Sequence, residues 1–145
     1  MGGKTAKVLI VDDDPFVRDM LSFVLESGGY DVTVAENGFE AFEKCISDPG
    51  IEILVSDLNM PVMSGLDLTR ELREHNVDIP IIVLTGDSAA ASVGEAGRSG
   101  ADYFLVKDES IGETILDVLE RVLRAYPKPP FLGEINHLHG FSDRR

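Results

Sequence analysis

The chain has 145 residues, 43% of them hydrophobic, which is enough to bury the core of one ordinary domain. Its 26 acidic and 13 basic residues give a formal net charge of -13, which argues against direct binding to nucleic-acid backbones or anionic membrane surfaces. No stretch approaches the roughly 18 apolar residues of a membrane span, and the first residues lack the apolar core of a signal peptide, so we expect a cytoplasmic protein.

The first predicted strand ends in a run of acids. Residues 6–11 read AKVLIV and are followed by Asp12, Asp13 and Asp14. Asp14 suits the N-cap of a helix that begins at Pro15. The two acids before it have no such explanation, because adjacent carboxylates repel each other unless solvent or a cation relieves them.

A second strand and helix, at residues 30–35 and 38–47, look purely architectural. The helix has one apolar face, formed by Phe39, Phe42, Cys45 and Ile46. Since the only cysteine lies on that face, we interpret Cys45 as a small buried filler rather than a nucleophile.

The third strand carries the most conspicuous carboxylate. Residues 53–57 read ILVSD, so Asp57 lies at the C-terminal rim of the predicted sheet, where open α/β folds bind ligands. Taken alone, Asp57 could instead begin a turn or cap the helix predicted at residues 65–76. The ends of the other strands decide between these interpretations.

Two further apolar strands, at residues 79–84 and 102–106, also end in polar side chains, Thr85 and Lys107. Between them, residues 88–100 have helical length but few apolar side chains. Glycines in that segment cost about 1 kcal/mol each against alanine, so this fourth helix is either adaptable or, as in other Ala- and Gly-rich helices, tightly packed.

The chain closes with an amphipathic helix from Ile111 that ends before Pro127, followed by a tail. The tail begins like a Pro-rich linker, yet four apolar side chains recur in it at helical spacing: Phe131, Ile135, Leu138 and Phe141. These apolar side chains would need to be buried against another surface. The tail could dock on the domain, mediate a dimer or begin a longer chain.

Strands that alternate five times with helices predict a parallel sheet covered on both faces, a doubly wound (βα)5 fold of the α/β class. We expect the flavodoxin-like strand order 2-1-3-4-5, which makes strands one and three neighbours. Asp12, Asp13 and Asp57 would then converge in one crevice. Hard oxygen ligands from separate strand ends suit Mg²⁺ better than Ca²⁺, and Asp57 could act there as a nucleophile toward phosphorus.

Four motifs, VLIVDDDP, SDLNMPVMSG, VLTG and YFLVK, stand in the order found in the receiver domains of two-component response regulators. The chain resembles that family over roughly residues 4–126. The resemblance implies a receiver domain at residues 1–126 and a C-terminal tail or linker at residues 127–145.

By this resemblance, Asp57 is the phosphoacceptor and Thr85 and Lys107 take the switch and cation positions of the family. It also implies a Mg²⁺ site with Asp13 as a direct ligand and Asp12 acting largely through water. The remaining family positions fall on the Asn59 backbone carbonyl, a further metal ligand, and on Phe104, the switch aromatic.

The resemblance further implies a phosphoacceptor switch rather than an enzyme. Its phosphodonor would be a histidine kinase or a histidine phosphotransfer protein. A downstream protein would bind the face formed by the predicted fourth helix, the fifth strand and the last helix, and phosphorylation could also drive homodimer formation.

One departure from the family concerns Lys107, which is followed by Asp108 where the family usually has proline. Asp108 or Ser110 would then cap the last helix. A second hypothesis is that Asn59 and Asp87, each two residues past a site residue, tune the lifetime of the phosphate.

Two other functions are weighed against the receiver. A Mg²⁺-dependent phosphohydrolase would use Asp12 as its nucleophile and Asp14 as a second acid, but Phe16 stands where such enzymes carry a small Thr or Val. A flavin-binding module is disfavoured because the acids after strand one would repel the flavin phosphate.

Overall fold

The computed structural model describes residues 5–86 and 99–125, to which all structural statements refer. Five parallel strands form one sheet: β1 (Lys7–Val11), β2 (Asp31–Ala35), β3 (Ile53–Asp57), β4 (Ile81–Thr85) and β5 (Tyr103–Val106). They lie in the order β2-β1-β3-β4-β5, which confirms the predicted doubly wound fold.

Four helices are described: α1 (Pro15–Ser27), α2 (Gly38–Ser47), α3 (Gly65–Glu74) and α4 (Ile111–Arg124). Helix α4 is the last of the predicted helices. The predicted helix at 88–100 lies outside the described residues except for its last two, and so do Asp87 and the tail at 127–145. None of the described helices is long and apolar enough to cross a membrane.

The sheet separates two apolar cores, because alternate strand residues point to opposite faces. On one face α1 and α4 cover a set that includes Ile10, Val55 and Leu84. On the other, α2 and α3 cover a set that includes Leu9, Leu54 and Val83. Strands covered on both faces read as continuous apolar runs, which is why β1, β3 and β4 were recognisable.

The apolar face predicted for α2 is wrong in part. Ala41 and Cys45 are buried, but Phe39 is 56% and Ile46 47% exposed. The ring of Phe42 contacts the ring of His75, just after α3, in an edge-to-face arrangement with ring centroids 5.0 Å apart. Burial, and secondarily the charge of Asp48, raises the pKa of the Cys45 thiol to about 11, in keeping with a filler role.

Helix starts follow local sequence signals. The Asp14 carboxylate accepts a hydrogen bond from the backbone N–H of Phe16 at 2.9 Å, which confirms it as the N-cap of α1. Ser64, and not Asp57, caps α3, where it forms a reciprocal capping box with Asp67. Helix capping therefore does not account for the presence of Asp57 at this position.

An arginine at the end of α3 binds the segments that precede β4 and β5. Arg73 donates to the carbonyl oxygens of Val77 and Ile79, at 2.7 and 2.8 Å, and to that of Gly100 at 3.0 Å. Its Nη2 also lies 3.0 Å from Oδ2 of the buried Asp102. The planar guanidinium serves partners in several directions at once, which an ammonium cannot do.

The loop between β3 and α3 is strained at Val62. This residue has φ of 72°, and the N–H of Met63 donates to the carbonyl oxygen of Pro61 at 2.7 Å, a combination that corresponds to a γ-turn. A β-branched side chain rarely adopts that conformation. The loop then closes against Gly65, where a Cβ would collide with the backbone oxygen of Asp57.

Replacement of Arg73 by lysine should lower the free energy of unfolding by about 2–3 kcal/mol, because several buried acceptors lose their partners while the charge is kept. Arg70→Lys is the matched control on the same helix. Arg70 is half-exposed and pairs only with Asp67, so its replacement should change stability by less than about 0.5 kcal/mol. Urea unfolding of both variants checks this, and equal losses would refute the special role of Arg73.

Val62→Asn should stabilise the protein by about 1 kcal/mol, because asparagine tolerates positive φ and the 86% exposed valine buries almost nothing. The reverse substitution, Asn76→Val, is the control: Asn76 is exposed with φ of 63°, and valine there should destabilise by a similar amount. Urea midpoints measure both. A Val62→Asn variant no more stable than wild type would contradict the assignment of strain.

Candidate functional site

Strand register brings the polar ends of four strands to one rim of the sheet. Val11 lies opposite Ser56 on β3, so Asp12 falls level with Asp57. Asp57 in turn lies opposite Leu84, and Thr85 opposite Val106. The last residues of β3 and β4 therefore meet the first residues after β1 and β5 at the same edge of the sheet, as predicted from the sequence.

Burial divides these side chains into an inner and an outer group. Asp12, Asp57 and Thr85 are almost inaccessible, with 1%, 6% and 1% of their surfaces exposed. Asp13 is exposed, and the Lys107 side chain is one-fifth exposed. The acidic site is thus buried at Asp12, Asp57 and Thr85 and exposed to solvent at Asp13.

Lys107 bridges the two buried carboxylates. Its Nζ lies 3.1 Å from Asp57 Oδ1 and 3.2 Å from Asp12 Oδ2. Its backbone N–H donates to the carbonyl oxygen of Thr85 at 2.7 Å, which fixes where the side chain begins. Burial alone would lower the pKa of this amine, but the hydrogen bond and charge of Asp57, together with Asp12, outweigh it and raise the pKa.

The charge of Asp57 is only partly compensated by its neighbours. Burial, and then the neighbouring charge of Asp12, raises its pKa above the ordinary value of 3.8. The Lys107 ammonium and the backbone N–H of Asn59 oppose that shift without cancelling it. A poorly compensated carboxylate at an open rim is suited to react with an electrophile or to bind a cation.

The residues present fit a divalent metal ion. One carboxylate oxygen from each of Asp12, Asp13 and Asp57 lies within 4.8 Å of the others. Three carboxylates against one ammonium leave an excess of two negative charges. Oxygen donors with an open, solvent-facing side match the preference of Mg²⁺ for a few carboxylates and several waters.

The turn after β1 is held by Arg18, which no sequence pattern marks as a site residue. Arg18 Nη1, on the first turns of α1, donates to the backbone oxygen of Asp12 at 2.8 Å. The N–H of Asp14 donates to Asp12 Oδ1 at 2.9 Å. Together they fix both the backbone and the carboxylate of Asp12, leaving it less adaptable than Asp57.

The roles predicted for Asn59 and Phe104 stay predictions, as do those of the other site residues. Asn59 is exposed beside Asp57 and its N–H contacts that carboxylate, but nothing described tests its carbonyl as a metal ligand or its effect on phosphate lifetime. Phe104 is 4% exposed and packs in the core under α2 and α3, while Tyr103 packs in the core on the opposite face. Phe104 is thus buried like any core residue in this structure.

The corner after Lys107 is organised by Asp108. Its Oδ1 accepts the N–H of Ser110 at 2.9 Å, and its backbone oxygen accepts the N–H of Ile111 at 3.1 Å. Ser110 stands at the N-cap position of α4, but its side chain makes no capping hydrogen bond. Of the two residues expected to cap α4, Asp108 organises the preceding turn and Ser110 contributes no side-chain cap.

Comparison with known proteins agrees with this architecture. The sequence model of the family described as response regulator receiver domain matches residues 8–119. Chemotaxis protein CheY1 of Helicobacter pylori strain J99 is 39% identical over 104 residues, which cover 70% of this chain and 84% of that protein. Response regulator MprA of Mycobacterium bovis strain BCG is 34% identical over 124 residues, and the match covers 86% of this chain but only 54% of MprA.

Solved structures show the same likeness. Chemotaxis response regulator CheY4 of Vibrio cholerae superposes with a TM-score of 0.76 at 36% identity, covering 82% of this chain and 99% of CheY4. The signal receiver domain of a signal transduction histidine kinase from Syntrophus aciditrophicus gives a TM-score of 0.76 at 30% identity, with 86% and 95% covered. By its sequence, strand order and acidic rim, the chain belongs to the response regulator receiver domains of two-component signalling.

Proposed function

We propose that the protein accepts a phosphoryl group on Asp57 from the phosphohistidine of a histidine kinase or a histidine phosphotransfer protein, with Mg²⁺ bound at the acidic rim. The observation that carries this proposal is the placement of a buried carboxylate 3.1 Å from the Lys107 ammonium and within 4.8 Å of two further acids. That arrangement supplies both a nucleophile and the charges that a transferring phosphoryl group needs.

In the transfer step, one carboxylate oxygen of Asp57 attacks phosphorus. The new P–O bond forms as the P–N bond of the donor breaks, and the imidazole leaves with that electron pair and then takes a proton. Lys107 lies where it can pair with negative charge on the phosphoryl oxygens, and Thr85, buried at the adjacent strand end, can donate its hydroxyl to one of them.

Asp12, Asp13 and Asp57, together with the backbone carbonyl of Asn59, would hold the metal ion. When bound, Mg²⁺ supplies positive charge that offsets the phosphoryl oxygens during transfer. Asp12 is disfavoured as the nucleophile of a phosphohydrolase because Phe16 stands where such enzymes carry a small Thr or Val.

Receiver domains are signalling switches rather than enzymes, and we propose that the output here is a change of surface. A phosphoryl group on Asp57 would draw Thr85 toward it, and Phe104 on the neighbouring strand would repack in response. The affected face would include β5, α4 and the segment at 88–100, where a downstream protein would bind.

Incubation with Mg²⁺ and a small acyl or amido phosphate should add one phosphate per chain, removable by hydroxylamine as expected of an acyl phosphate. Asp57→Asn should take up none, because the nucleophile is gone. Asp117→Asn, which alters an exposed carboxylate on α4, should be phosphorylated like wild type. Intact mass measures all three. Turnover of phosphomonoesters that persists in Asp57→Asn and disappears in Asp12→Asn would overturn the proposal in favour of a phosphohydrolase.

Mg²⁺ should raise the free energy of unfolding of the wild-type protein, by about 1.4 kcal/mol at ten times its dissociation constant. Asp57→Asn removes a ligand and should lose most of this gain, whereas Asp117→Asn should keep it. Urea unfolding at pH 7 with and without Mg²⁺ provides the measurement. Equal Mg²⁺ stabilisation of Asp57→Asn and wild type would exclude Asp57 from the metal site.

Without Mg²⁺, the Asp57→Asn variant should be the more stable of the two. The folded pKa of Asp57 is raised, so the native state loses stability as pH rises from the ordinary value of 3.8 through the folded value, and the loss is complete above that folded value. The amide carries no such charge. A lower urea midpoint for Asp57→Asn in the absence of metal would contradict the sign of this shift.

A further inference from the structure

Helix α1 carries an apolar stripe on the side that faces away from the sheet. Phe16 is 76% and Phe23 72% exposed, and the half-buried Met20 lies between them. At about 1.5 Å per residue the two phenylalanines are about 10 Å apart along the helix. Two exposed aromatic rings at this spacing form a stripe long enough for another helix to cover.

The stripe lies on the same side of the sheet as α4. Both helices cover one core, whereas α2 and α3, with the exposed Phe39 and Ile46, cover the other. Helix α4 also runs directly beside α1. A Cβ at Gly112 would lie 3.5 Å from Val24, and one at Gly28 would lie 2.7 Å from Leu116.

These contacts fix where the chain leaves α4. Gly28, the C-cap of α1, is level with Leu116, and α4 continues eight residues further to Arg124, which takes it about 12 Å past the end of α1. The raised pKa of Tyr30, caused by burial and secondarily by Glu120, agrees with α4 passing this corner. The following residues therefore start on the α1 side of the sheet, below the stripe.

We propose that residues 131–141 of the same chain form a helix that docks in the antiparallel sense on the apolar stripe of α1. The five residues before it, YPKPP, are Pro-rich and reach about 15 Å, which returns the chain to the level of Gly28. From there, a helix over residues 131–141 rises about 15 Å and spans the stripe as far as Phe16.

The apolar positions of the tail match the stripe in level along the helix axis. Phe131, Ile135, Leu138 and Phe141 lie on one side of such a helix. Ile135 falls beside Phe23, and Phe141 falls near Phe16, at this rise per residue. Docking would remove both sets of apolar side chains from water, each contributing roughly 25 cal/mol per Å² of apolar surface buried.

Charge argues against a second copy as the occupant. The chain has a net charge of -13, and Asp19 and Glu26 are exposed along one side of the α1 stripe. Residues 126–145 carry three basic and two acidic residues, with the basic ones on either side of residues 131–141. The tail as a whole is therefore not repelled by the acidic domain, whereas a second copy of that domain would be.

Disulfide trapping in the full chain tests the docking. Phe23→Cys combined with Ile135→Cys should form a disulfide within one chain at least about ten times faster than the matched pair Phe39→Cys and Ile135→Cys, because only the docked partner is held at high effective concentration. The native Cys45 is buried and interferes little. Non-reducing electrophoresis and peptide mass spectrometry of dilute protein follow the reaction.

Equal rates for the two pairs, or a faster reaction at Phe39, would overturn the proposal, and a disulfide between two chains would assign the stripe to a second copy instead. Thermal unfolding of the reduced variants confirms that both remain folded. If Phe23→Cys fails to fold, the pair Phe16→Cys and Phe141→Cys gives the same comparison. The docking does not depend on phosphorylation of Asp57, so either proposal can fail while the other stands.

Discussion

Repulsion among carboxylates at one rim of the sheet is the constraint on which the rest of the molecule depends. Asp12 and Asp57 are nearly inaccessible to water and share the ammonium group of Lys107. Buried charges without partners are costly, so the rim is stable only while the lysine stays between them. The remaining deficit, seen in the raised pKa of Asp57, leaves the site ready to take up positive charge or a phosphoryl group.

The surrounding structure resists this local repulsion. Two apolar cores, one on each face, hold the five strands in register, and strand ends cannot separate without exposing them. At the opposite end of the sheet, Arg73 and Asp102 fasten the entrances of β4 and β5. The stabilising contacts thus lie mainly away from the site, and the uncompensated charge lies at the site. Such a division between stability and function is common.

The sequence was sufficient to predict the fold and to predict which residues form the acidic rim, because both depend on short-range patterns. The apolar runs end in Asp12, Asp57 and Lys107. To predict that these residues lie together, one needs only the rule that parallel strands end at one edge of the sheet. It was insufficient where a partner is distant in the chain. The Arg73–Asp102 pair spans 29 residues, and no local pattern marks it.

Side-chain direction on the helices was the other point at which sequence reasoning failed. Phe39 and Ile46 lie within the helical period that predicts burial, yet they are exposed because α3 covers only one flank of α2. Which flank is covered depends on how the two helices pack, and periodicity does not contain that information. Strain at Val62 was equally invisible, since a valine in a loop gives no sign of its φ angle.

Strand register has a consequence for how this sequence can change. Since Val11 pairs with Ser56 and Asp57 with Leu84, a one-residue deletion inside β1 or β3 would turn an acid from the rim toward the opposite face of the sheet. Such a deletion would leave composition and apolar content nearly intact and still dismantle the site. Insertions or deletions in the loops on the far side of the sheet, away from the rim, should therefore disturb the site least.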